Sequence, residues 1–315
     1  MFAALLVGKC QIRRVIHRAC EEENKLWTGN STGPEDLLNS RSAVPFFSRY
    51  QRLGDIHRYI AGLASSNPEL AGIQNIGTST EGNVLQVIKP LCFWHSQIGA
   101  PRSNKSAIWL DGGMHAREWI SPATVTYIAT QLIHNYNSEP RVRKLVDMFD
   151  WYILSVANPD GYEYSHTEDR MWRKTRSRSS PLWFCRGADP NRNFGFQWNT
   201  VGASIRPCAE TYAGTRAFSE PETKAIADFI LRNKHRLKAF LTFHSYSQLW
   251  MTPWGYTALR PAQYKDMVGF CFSSTTRWSK TSLSPTGGCC SEGDFGIEEG
   301  PRHGVQSRYL DKHTM

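Results

Sequence analysis

From Phe46 to Leu70, apolar residues recur at Phe47, Tyr50, Leu53, Ile56, Ile60 and Leu63, close to the helical period, and Asn67-Pro68 stops the run. That pattern predicts an amphipathic surface helix. Val84 to Ile88 and Ser106 to Leu110 read as strands, the second closed by the turn Asp111-Gly112-Gly113. Ser121 to Tyr136 places Val125, Ile128, Ala129, Leu132 and Ile133 on one helical face, with Ser121 and Pro122 at its start offering an N-cap. Trp151 to Ala157 is a further β-rich run, closed by Asn158-Pro159-Asp160-Gly161. Ser219-Glu220-Pro221-Glu222 has the form of a capping box opening a helix through Ala225, Ile226, Phe229 and Ile230. Lys238 to His244 is another apolar strand. Strands alternating with helices predict an α/β fold with a mixed, mainly parallel twisted sheet flanked by helices. Ligand sites in such sheets gather beyond the carboxyl ends of the strands.

Composition narrows the class. The chain has 315 residues, 40% of them hydrophobic and 21% charged, which suits a globular protein rather than a disordered one. Its 37 Lys and Arg against 28 Asp and Glu give a formal charge of +9, compatible with nucleic acid, an anionic surface, acidic substrates or a solvated face. No apolar run approaches the roughly 18–20 residues of a membrane span, so no membrane partner is expected. Met1 to Val7 is apolar but too short for a signal h-region and lacks a preceding basic residue, so no convincing signal peptide is present. Asn30-Ser31-Thr32 and Asn104-Lys105-Ser106 are glycosylation sequons, useful only in a secreted chain. The 8 cysteines are too few for a disulfide scaffold; Cys185 and Cys208 suggest a bridge, whereas Cys271, Cys289 and Cys290 crowd the C-terminal region.

Candidate chemistry lies in the turn after the Ser106 strand. Met114-His115-Ala116-Arg117-Glu118-Trp119 holds a His and a Glu that one turn aims at a single ion. A hydrolytic zinc site uses three protein ligands and leaves room for water. His244, ending an apolar strand in Phe243-His244-Ser245-Tyr246, is placed to be the third. On its own, His-x-x-Glu is a weak signal. Arg117, Arg173 and Asn191-Arg192-Asn193 strengthen it, because arginine forks onto carboxylates and a carboxylate clamp beside zinc points to exopeptidase chemistry. The Arg173-Lys-Thr-Arg-Ser-Arg178 run raises nucleic-acid binding as a rival, but no nucleic-acid motif accompanies it and none is expected as a partner.

Taken together, Asp111-Gly-Gly-Met-His-Ala-Arg-Glu-Trp-Ile-Ser-Pro122, Asn158-Pro-Asp-Gly-Tyr162, Arg170-Met-Trp-Arg-Lys-Thr-Arg176, Asn191-Arg-Asn193, Ser219-Glu-Pro-Glu222 and His244-Ser-Tyr-Ser-Gln248 resemble the M14 zinc carboxypeptidases of the carboxypeptidase A/B subfamily. The resemblance implies one Zn²⁺ held by His115, Glu118 and His244, with Asp189 orienting His115. It also implies that Asn191 and Arg192 grip the substrate's terminal carboxylate, that Arg173 polarises the scissile carbonyl, and that Arg117 and Tyr246 serve outer subsites. Cys185 and Cys208 match a family disulfide. Peptide or protein C-termini as substrate, a monomer and an extracellular location follow in the same way.

The resemblance covers about Phe46 to Tyr256. Residues 1–45 read as a leader or connector, 46–267 as the carboxypeptidase-like domain, and 268–315 as a divergent tail, so the fold is expected to be incomplete at its C-terminus. The family's catalytic Glu, within a Glu-Leu-Arg-Asp motif, has no match; Glu292, Glu298 and Glu299 are carboxylates outside any matching motif. Residues 90–97 look inserted. The alternative to a working peptidase is therefore an inactive form that binds zinc and peptide carboxylate without the general base.

Overall fold

The structure, a computed structural model, describes residues 46–90, 105–178, 184–246, 251, 253–262 and 264. The leader, most of the inserted segment and the divergent tail lie outside these residues, as do both sequons' asparagines and Cys271, Cys289 and Cys290.

Five strands form one sheet: β1 (Ala71–Thr78), β2 (Val84–Pro90), β3 (Ser106–Asp111), β4 (Phe149–Leu154) and β5 (Leu237–Thr242), in the order β1-β2-β4-β3-β5. The sheet is mixed, as its sequence predicts. β1 with β2 and β2 with β4 are antiparallel, while β3 runs parallel to both β4 and β5. The parallel half carries the site.

Why β3 lies inside the sheet follows from its sequence. Ala107 to Asp111 are all buried, the signature of a strand covered on both faces. Ile108 and Leu110 point to one face and pack with Ile88, Trp151 and Ile153 against Val125, Ile128, Leu132 and Ile133. Those last four lie on α2 (Ile120–His134), which shares that face with α1 (Leu53–Ser65) and α3 (Pro140–Met148). Trp109 points the other way and packs with Leu85, Tyr152 and Leu154 against Ile226, Phe229 and Ile230 of α5 (Pro221–Asn233). Burial of each large aliphatic or aromatic side chain contributes roughly 1.5–3 kcal/mol.

Several local expectations are corrected. The first helix begins at Leu53 rather than Phe46; Phe46–Ser48 form a separate 3-10 turn, and Glu163 accepts a hydrogen bond from Leu53 N (3.3 Å) where Arg52 provides no side-chain cap. Asn158-Pro-Asp-Gly does not merely end a strand. It opens α4 (Pro159–Thr167), with Asn158 Oδ1 accepting from Gly161 N at 3.1 Å. Ser121 does not cap α2, because its Oγ accepts from Gly113 N (2.8 Å) and donates to Phe243 O (2.6 Å), tying the two site-bearing loops together. The expected capping box at α5 does not form either. Glu220 occupies the cap without a side-chain cap bond, and its amide donates to Asn193 Oδ1 at 3.0 Å.

Candidate metal and substrate site

Two neighbouring parallel strands deliver the metal-ligand candidates. In the β3–β5 register Asp111 lies opposite Thr242, so the loops leaving both strands emerge side by side at the carboxyl edge of the sheet. His115 and Glu118 leave the first and His244 the second. Gly113 permits the sharp exit from β3: its φ is +65°, and a Cβ there would meet Pro122 Cγ at 2.9 Å.

His115, Glu118 and His244 converge, each offering a ligand atom within 4.8 Å of the others. Both imidazoles turn Nδ1 inward. His115 Nδ1 lies 2.7 Å from Glu118 Oε1, His244 Nδ1 lies 2.8 Å from Glu118 Oε2, and the two Nδ1 atoms are 3.1 Å apart. Ser245 N also donates to Glu118 Oε2 at 3.1 Å. Burial pushes the Glu118 carboxyl up, but its hydrogen bonds to His115 and His244 outweigh this and lower its pKa to about 2.

The outward nitrogen of each histidine is held from behind. His115 Nε2 lies 3.2 Å from Asp189 Oδ1, and Arg173 donates to Asp189 Oδ2 through Nε (3.1 Å) and Nη2 (2.9 Å). Asp189 is fully buried; burial raises its pKa, but the His115 and Arg173 charges draw it well below the carboxylate range. For His115, burial lowers the pKa and the Asp189 and Glu118 partners outweigh it, leaving it raised. His244 Nε2 lies 3.3 Å from Thr242 Oγ1, which donates to Asp111 Oδ1 at 2.6 Å, while Trp109 Nε1 donates to Asp111 Oδ2 at 2.6 Å. Asp111 and Thr242 are site residues that sequence reading did not pick out. Thr242 ends β5 two residues before His244, and a two-residue spacing at a strand end is the signal that would have paired them.

Beside this cluster, Asp189 opens the 3-10 turn Pro190–Arg192 by accepting from Asn191 N at 2.9 Å. The Asn191 Nδ2 donor is buried without a hydrogen-bond partner, an orphan donor that a ligand oxygen would satisfy. Arg192 Nε donates to Gly202 O (2.7 Å). Arg117 faces outward, its Nη1 donating to Glu210 Oε2 (3.1 Å) and Met171 O (3.3 Å). Tyr246 is 95% exposed and stands apart from the cluster. Cys185 and Cys208 form a disulfide with Cα atoms 5.1 Å apart.

Residues 56–287 match the family model described as zinc carboxypeptidase, a span that runs past Met267. Carboxypeptidase B of Astacus astacus is 42% identical over 221 residues, covering 70% of this chain and 69% of its own length. Carboxypeptidase B of Rattus norvegicus is 43% identical over 229 residues, covering 73% of this chain and 53% of its own. Among solved structures, bovine thrombin-activatable fibrinolysis inhibitor in complex with tick carboxypeptidase inhibitor is 38% identical with a TM-score of 0.61, covering 69% of this chain and 68% of that one. The chain thus spans from about half to somewhat over two thirds of these relatives' lengths.

Proposed function

Because the chain belongs to the zinc carboxypeptidase family, we propose that it is a metallopeptidase releasing C-terminal residues from peptides and proteins with one Zn²⁺ held by His115, Glu118 and His244. The observation that carries this is the convergence of two inward Nδ1 atoms and one carboxylate at the sheet edge. Two imidazoles and a carboxylate suit a catalytic zinc, which keeps its fourth position for water. When bound there, zinc supplies Lewis acidity and makes water nucleophilic at neutral pH.

This chain's own residues do the rest. Asn191, whose Nδ2 is an unpaired buried donor, and Arg192 bind the terminal carboxylate. Asp189 anchors the Arg173 guanidinium, which orients on the scissile carbonyl and stabilises the charge that develops on its oxygen. Arg117 and Tyr246 contact residues further along the substrate. The attacking water must also lose a proton to a base. Glu118 and Asp189 are both committed to hydrogen bonds, and Glu292, Glu298 and Glu299 lie outside the described residues. We place the protein outside the cell as a monomer, a location supported by the Cys185–Cys208 link, since such bonds persist in oxidising compartments. Among the described residues no helix is long and apolar enough to cross a membrane.

The test is to express the chain, quantify zinc by mass spectrometry and assay release from blocked dipeptides with and without a chelator. Stoichiometric zinc with chelator-sensitive release is expected, and His244→Ala should lose both. Zinc without release would instead favour the binding form that lacks a base, and a wild-type chain that takes up no zinc would overturn the metal site.

A further inference from the structure

We infer that Asp111 and Thr242 are positioning residues that fix the tautomer and ring orientation of His244, an inference that rests on the zinc site proposed above. The argument is one of hydrogen-bond donors and acceptors. Trp109 Nε1 is a donor only and occupies Asp111 Oδ2 at 2.6 Å. The Thr242 hydroxyl donates its single proton to the other oxygen, Oδ1, also at 2.6 Å. While Asp111 is ionised, Thr242 Oγ1 has spent that proton and accepts from His244 Nε2, 3.3 Å away. Thr242 therefore favours a proton on Nε2, the tautomer in which Nδ1 offers its lone pair to a metal, whereas Glu118 Oε2, 2.8 Å from Nδ1, favours a proton there until a metal takes its place.

The arrangement mirrors the other histidine with different parts. His115 has Asp189 in direct contact with Nε2, whereas His244 reaches its carboxylate through a hydroxyl. The geometry is held by backbone pairing, because Asp111 and Thr242 are register partners across the parallel β3–β5 pair. Asp111 is completely buried. Its place is anchored further by its backbone, since Phe243 N donates to Asp111 O at 2.9 Å. One aspartate thus fixes both the strand that carries His244 and the ring itself.

The test compares Thr242→Val, Thr242→Ser, Asp111→Asn and His244→Ala in the full chain. Two quantities are read: the zinc dissociation constant, by competition with a chromophoric chelator, and the imidazole ¹⁵N shifts of the metal-free protein. Partners of this kind typically alter metal affinity about 10–100-fold. Thr242→Val is expected to weaken zinc binding by at least about tenfold and to lower the share of metal-free His244 protonated at Nε2, while Thr242→Ser restores both. Asp111→Asn should act like Thr242→Val, because an amide facing Thr242 donates where the carboxylate accepts. If Asp111→Asn fails to fold, the Thr242 pair decides. Wild-type affinity and an unmoved Nε2 tautomer in Thr242→Val, with zinc lost in His244→Ala, would overturn the inference and leave the zinc site standing. Undiminished zinc binding in His244→Ala would overturn the zinc site itself.

Discussion

At the scale of single residues, Asp189 is the junction of the site. One oxygen accepts from Asn191 N and holds His115, and the other holds Arg173, so the groups assigned to metal, carboxylate and carbonyl share one buried anion. On the role proposed for Arg173, its removal deletes a donor to developing charge while Asp189 keeps its contacts to His115 and Asn191. Arg173→Ala is therefore expected to lower kcat about 10²–10³-fold with zinc content retained, measured by peptide turnover alongside metal analysis. A proportional loss of zinc would show that Arg173 supports the metal instead. His115, Glu118, His244, Arg173, Asn191 and Arg192 were legible as candidates from their residue types in short motifs, and Asp189 through the family resemblance. Asp111 and Thr242 were not, because each reads as an ordinary strand-end residue and only register pairing brings them together.

At the scale of elements, hidden capping accounts for most of what the sequence did not reveal. α5 looked self-capped by Ser219 and Glu222, yet Asn193, far away in sequence, accepts from Glu220 N and from Thr223 Oγ1 (2.7 Å). Its Nδ2 donates to Ala213 O, Arg216 O and Ser219 Oγ at 2.8–3.1 Å. Asn193→Ala strips all of these from a fully buried position next to Arg192, leaving several polar groups unsatisfied at about 1 kcal/mol or more apiece. A loss of about 3 kcal/mol or more in urea unfolding is expected, with an unchanged m-value. A cost below about 1 kcal/mol would mean that water replaces the side chain. β1, α3 and α4 went unrecognised for related reasons. Gly72 and Gly77 break the strand pattern of β1, and the Pro159-Asp160-Gly161 start of α4 carries turn residues that serve as a first helical turn only once Asn158 caps it. The strands β2 to β5 were legible because most of their positions are apolar and buried.

At the scale of the whole molecule, pH acts on stability through Glu222. It is fully buried in the helix that covers one face of the sheet, where the backbone N–H groups of Glu222 and Thr80 only partly offset the burial of its carboxyl. Burial, reinforced by Glu220 and Asp160, pushes its pKa up to about 8 from 4.5. The folded chain then keeps a proton that the unfolded chain sheds, so the Glu222 contribution to stability falls as pH rises from about 4.5 to about 8 and levels off above. Glu222→Gln is expected to gain stability relative to wild type by a few kcal/mol across that interval. Parallel denaturant titrations at pH 5 and pH 8 measure it, and an equal difference at both would remove Glu222 as the cause. The parallel pairing of β3 with β5 has a consequence in time as well as in space. His244 follows Glu118 by 126 residues, which at about 5–20 residues per second of synthesis means a delay of roughly 6–25 s. During that interval a nascent chain displays two donors without the third. On the zinc site proposed above, metal capture is therefore a late step in biogenesis that waits for β5 to dock beside β3.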